Sequence, residues 1–153
     1  MGLRVIVRSF YNKILRDRIM LKYTLLIFFI LFQSPLLFAG EQTKIVLHMN
    51  DNYKLGHLLN SVENIRDELG NETEIKVVIN GKAVQAMLKN NKISTDIVTS
   101  ILQKNVDIGL CHNAVRSSHV DKSMLIDGLD ILPQDGNVTI FKLKQKGYAY
   151  IKM

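Results

Sequence analysis

The stretch NVDIGLCHN, residues 105–113, decides how this chain is read. Val106–Leu110 (VDIGL) is a short apolar run bounded by polar residues on both sides. It is too short to present a helical face. A run of this kind reads as a strand. At its end stands Cys111, the only cysteine among 153 residues.

Working back from this strand, Ser94, Thr95 and Asp96 offer N-caps for a helix whose apolar face is Ile97, Val98, Ile101 and Leu102. Ala83–Lys89 reads as a short helix with Val84, Met87 and Leu88 inward. Asn80-Gly81 breaks a strand at Glu74–Ile79 (EIKVVI). Lys54–Leu69 carries Leu55, Leu58, Leu59, Val62, Ile65 and Leu69 at helical spacing and stops at Gly70. Lys44–Met49 (KIVLHM) is the first strand. Forward of Cys111, His119–Ile126 is a weakly periodic helix, and Asp127-Gly128 and Pro133 mark loops. Val138–Leu143 reads as a fourth strand, Gln145–Gly147 as a turn and Tyr148–Ile151 as a final strand. The order predicts an α/β, flavodoxin-like domain: a mostly parallel sheet, helices on both faces, and a C-terminal hairpin.

Such sheets bind ligands at the carboxyl ends of their strands. His48 and Asn50 close the first strand, Asn80 and Gly81 the second, and Cys111, His112 and Asn113 the third. These clusters should converge on one edge. Cys111 is then a nucleophile favoured by backbone N–H groups and by His112 and Arg116, or a buried structural thiol. His48 polarises a ligand, tunes Cys111, or is a hydrogen-bonded strand-end histidine. Asn50, Asp51 and Asn80 hydrogen-bond a ligand or serve turns. One cysteine cannot form an internal disulfide, and no C-x-x-C motif is present, so a redox or relay cycle needs an outside thiol. No metal-ligand spacing occurs. The segment after the first strand, NDNYKL at 50–55, lacks a phosphate-binding loop, which argues against flavin and leaves no cofactor expected.

The net charge of +6 invites a nucleic-acid reading. Residues 1–40 hold six basic residues against one acid, while the rest has 14 Lys and Arg against 13 Asp and Glu. The excess lies in the leader, so no nucleic-acid partner is expected. Lys22, the run TLLIFFILF at 24–32 and the small residues Ala39-Gly40 form a secretory signal pattern. Residues 1–40 therefore read as a signal region, with a true start possible at Met20, and residues 41–153 as the domain. An uncleaved anchor is the alternative and the sole membrane link expected. Either way the domain is expected in the periplasm or secreted.

The pieces KIVLHMN (44–50), ENIRDELG (63–70), IKVVING (75–81), NVDIGLCHN (105–113) and QKGYAYI (145–151) resemble the small exported branch of the DsrE/DsrF-like family. Ala114 and Ala83 stand where that branch often has Thr and Gly. The resemblance implies a flavodoxin-like fold, homo-oligomers (trimers or hexamers), and a cysteine carrying sulfur as a persulfide, a role that falls on Cys111. Donor and acceptor would be proteins or small thiols. A non-catalytic oligomeric module that binds a small ligand or protein at the same edge is the competing expectation.

Overall fold

The structure, a computed structural model, describes Met20, Lys22 and residues 42–153. The signal-region reading lies outside the described residues, Met20 and Lys22 apart.

The unit Glu41–Met153 is an α/β domain of flavodoxin-like architecture. Its strands are β1 (Lys44–Met49), β2 (Glu74–Ile79), β3 (Val106–Leu110), β4 (Asp130–Ile131) and β5 (Ala149–Lys152), and its helices are α1 (Leu55–Leu69), α2 (Lys92–Leu102), α3 (His112–Ser117) and α4 (Gly136–Gln145). The strands form one sheet in the order β4-β3-β2-β1-β5, every pair parallel.

Alternation along the strands builds two apolar layers. Ile45, Leu47 and Met49, with Ile75, Val77, Ile79, Val106, Ile108 and Leu110, form the larger core under α1, α2 and α3. Val46 and Val78 point to the other face, where Ile140, Leu143 and Tyr148 cover them. Leu55, Leu58 and Val62 bury one stripe of α1, and Val98 and Ile101 one stripe of α2. Arg66 ties the base of α1 to the rest. Its guanidinium donates to the carbonyls of Lys104 (3.0 Å), Asn71 (3.2 Å), Thr73 (2.6 Å) and Asn105 (3.0 Å).

Several expectations need correction. The N-cap of α2 is Asn91, whose side chain accepts from Ser94 N, not Ser94, Thr95 or Asp96. The segment Gly81–Met87 is a 3-10 helix. His119–Ile126 contains only the 3-10 turn Lys122–Met124, because the helix after β3 starts earlier, at His112. The largest correction concerns the C-terminal hairpin. Val138–Leu143 is helical, within α4, and β5 pairs parallel with β1. Asp135 caps this helix, accepting from Asn137 N at 2.8 Å, and Ile140 and Leu143 face the sheet at helical spacing. A cap and a buried stripe outweigh the β propensity of Val138, Thr139 and Ile140. Parallel pairing of β4's successor with β1 requires such a crossover helix.

The crossover also positions the site. Connections after β1, β2 and β3 run over the larger core, while the one after β4 leads to α4 on the opposite face. Adjacent connections therefore diverge between β3 and β4, the place where such sheets open a crevice.

Candidate functional site

Backbone hydrogen bonds hold the strand ends in register. Asn80 N donates to Met49 O (2.9 Å), Cys111 N to Ile79 O (2.8 Å) and Leu132 N to Leu110 O (2.8 Å). A cavity of about 470 Å³ opens there, lined by Asn80, Gly81, Cys111, Asn113, Ala114, Arg116, Ser117, Asp135 and Asn137. Gly81 turns the chain at its rim with φ +56°, a left-handed conformation that favours glycine.

Cys111 is 4% exposed. Its Sγ accepts from Gly136 N at 3.3 Å and donates to Asp135 Oδ2 at 3.7 Å. The backbone donor thus comes from the first residue of α4, not from the short helix that follows Cys111. Asp135 also receives Asn113 Nδ2 at 3.1 Å. The backbone N–H of Asn137, then the Asn113 amide, hold its carboxyl below the usual carboxylate range, with a smaller contribution from the Cys111 thiol. Arg116 Nη2 donates to Asn113 Oδ1 at 3.4 Å.

Asn80 links this wall to β1. Its Nδ2 donates to Asn137 Oδ1 (3.4 Å) and to His48 Nε2 (3.2 Å). His48 Nδ1 lies 2.9 Å from Tyr150 Oη. Accepting at Nε2 requires a neutral ring. Burial, then the charge of Lys152, hold the imidazole below its ordinary value. Asn80 Oδ1 is buried without a hydrogen-bond partner. It presses against Gly136, where an added Cβ would stand 2.1 Å from it.

Of the residues singled out by sequence, the cavity gathers Cys111, Asn80, Gly81, Asn113 and Arg116. His48 stands behind Asn80 and does not line the cavity. Asn50 is exposed outside it. His112 is exposed and faces a separate depression with His119 and Asp121. Asp135, Asn137 and Tyr150 were not anticipated as site residues. Asp135-Gly136-Asn137 carries a helix-start signal, but the strand reading of Val138–Leu143 concealed it. Among the described residues, no group of three or more His, Cys, Asp or Glu could hold a metal ion.

No family model and no curated protein matches the chain. Solved structures do. The protein of unknown function MTH1491 from Methanobacterium thermoautotrophicum is similar with a TM-score of 0.67 and 24% identity, over 73% of this chain and 100% of that one. The ychN protein from E. coli is similar at 0.61 and 16% identity, over 73% and 99%. The conserved protein of unknown function BT1422 from Bacteroides thetaiotaomicron gives 0.58 and 14%, over 72% and 94%. At these identities the likeness is one of fold: residues 42–153 share the α/β architecture of these three proteins.

Proposed function

We propose that this chain is an exported, oligomeric sulfur carrier of the DsrE/DsrF-like kind, loading sulfane sulfur on Cys111. The observation that carries the reading is that Cys111 lines a cavity of about 470 Å³ and its Sγ has a backbone N–H at 3.3 Å. A backbone donor at that distance stabilises charge on sulfur. The sequence pieces that resemble the family support it, and the three structural neighbours are compatible with it in fold.

The chemistry balances without an oxidant. The Cys111 thiolate attacks the outer sulfur of a donor persulfide R–S–SH. The Sγ–S bond forms as the donor's S–S bond breaks. The electron pair leaves on R–S⁻, which takes up the proton that Cys111 released. An acceptor thiol then removes the outer sulfur by the same exchange.

The test is intact mass after incubation with a persulfide donor. The native chain should gain the mass of one sulfur atom, and Cys111→Ser should not. No gain by the native chain removes the reading's main support.

One observation favours the non-catalytic module. Cys111 is 4% exposed and lies beside the Asp135 carboxylate, whose charge opposes a thiolate. That reading expects a thiol that reacts only on unfolding, and assembly that survives Cys111→Ser.

A further inference from the structure

Asp135 and Arg116 line one cavity with opposite charges, and the ion pairs among the described residues involve neither. Asn113 stands between them, donating to Asp135 Oδ2 at 3.1 Å and accepting from Arg116 Nη2 at 3.4 Å. Thiol, carboxylate, amide and guanidinium therefore succeed one another along the wall.

The reacting sulfur makes a second demand. As a thiol it donates to Asp135 Oδ2 at 3.7 Å. As a thiolate or persulfide anion it has no proton to give, so two anions stand at that separation. Like charges this close disfavour each other, and the Gly136 N–H supplies only a partial charge. Loss of the S–H bond also frees an acceptor position on Oδ2. A cation entering there would neutralise both groups. Arg116 is exposed and bonded to Asn113.

We infer that the cavity selects a donor that brings its own cation: an amino-acid persulfide, with its α-ammonium on Asp135, its α-carboxylate on Arg116 and its sulfane sulfur against Cys111. The inference rests on the carrier reading and adds the donor class. A protein-bound persulfide presents no free ammonium and carboxylate beside its sulfur. A cavity of about 470 Å³ is of ordinary size for a small molecule. The transfer is the same thiolate–persulfide exchange, with the amino-acid thiolate as leaving group.

Two experiments separate the inference from its foundation. First, sulfur loading of the full chain is timed with cysteine persulfide, N-acetylcysteine persulfide and cysteamine persulfide. Each rate is taken relative to that of a free small thiol. Cysteine persulfide should lead each analogue by about tenfold, the scale of one charge-assisted hydrogen bond near solvent. Asp135→Asn should erase its lead over the N-acetyl donor, and Arg116→Gln its lead over cysteamine persulfide. Equal relative rates with native chain overturn the inference and leave the carrier. Second, S-methyl-L-cysteine is titrated into Cys111→Ala and followed by NMR. Saturable shifts at Asn113 and Asp135 are expected, and their absence overturns the inference. Binding there without loading from any donor overturns the carrier and keeps the amino-acid site.

Discussion

Gly136→Ala offers a sharp test of how this site is packed. Residue 136 begins α4, where alanine is ordinarily the better helix former by up to about 1 kcal/mol. Its φ is not in the left-handed region, so the backbone itself would accept a side chain. The obstacle is local. The new Cβ would lie 2.1 Å from Asn80 Oδ1, 2.8 Å from its Cγ and 2.9 Å from its Nδ2. If Asn80 stays, overpacking costs about 1–3 kcal/mol. If it moves, it loses its bonds to His48 and Asn137, at about 1 kcal/mol each. Either route outweighs the gain in helix propensity, and the expected net loss is about 1 kcal/mol. Urea unfolding of the domain should show a lower midpoint at unchanged slope. In an Asn80→Ala background the clash is gone, and Gly136→Ala should be neutral or mildly stabilising. The double-mutant coupling should therefore be about 2 kcal/mol. A neutral or stabilising Gly136→Ala in the native background would refute the packing argument, and additive effects would refute its assignment to Asn80.

Three further outcomes are expected. Arg66→Lys should cost about 2–3 kcal/mol in urea unfolding, because a single ammonium cannot reach four carbonyls on two loops; a loss under about 0.5 kcal/mol would make that network incidental. Tyr148→Phe should cost about 1 kcal/mol at neutral pH. Its hydrogen bond is the leading reason that the Glu74 carboxyl sits below its ordinary value, so this contribution is present above the unfolded value of 4.5 and is lost as pH falls through the folded one. The stability gap between native and Tyr148→Phe chains should accordingly shrink as pH falls below 4.5 and through the lower folded value of Glu74, and a gap constant with pH would contradict the assignment. Asp135→Ala should destabilise by more than Asp135→Asn, since asparagine keeps the cap on α4, and both should speed alkylation of Cys111 at fixed pH by removing the neighbouring charge; slower alkylation in both would show that the carboxylate activates the thiol.

The first three strands and the helices between them were legible because local and tertiary signals agree there. Lys44–Met49, Glu74–Ile79 and Val106–Leu110 are short runs dominated by buried apolar residues, and the leucines Leu55 and Leu58 with Val62 fall on one stripe of the following helix. The cavity residues Cys111, Asn80, Gly81, Asn113 and Arg116 were legible for the same reason, since a parallel sheet brings its strand ends to one edge. The C-terminal third was not. Val138-Thr139-Ile140-Phe141 has strand composition, and the Asp135 cap together with burial of Ile140 and Leu143 against Val46 and Val78 makes it a helix. β4 has two residues, too few for any periodicity to show. With α4 misread, the helix start that brings Asp135 beside Cys111 and Asn137 to the cavity went unseen. Tyr150 reaches His48 only because β5 lies beside β1, a neighbour relation invisible in a hairpin.

That adjacency of β5 and β1 has a bearing on synthesis. Among the described residues the first strand borders the last, and Met153 N closes the ladder on His48 O at 2.9 Å. Until the final residues are available, the outer edge of Lys44–Met49 lacks its partner, and Tyr150 is missing from His48. Pairing across nearly the whole domain is a long-range contact, which is slow to form and cannot precede synthesis of Ala149–Lys152. A growing or truncated polypeptide therefore stays short of its native sheet, with a bare apolar edge open to chaperones or to other chains. Deletion of only the last five residues should act as a folding lesion, although Cys111 itself would be untouched.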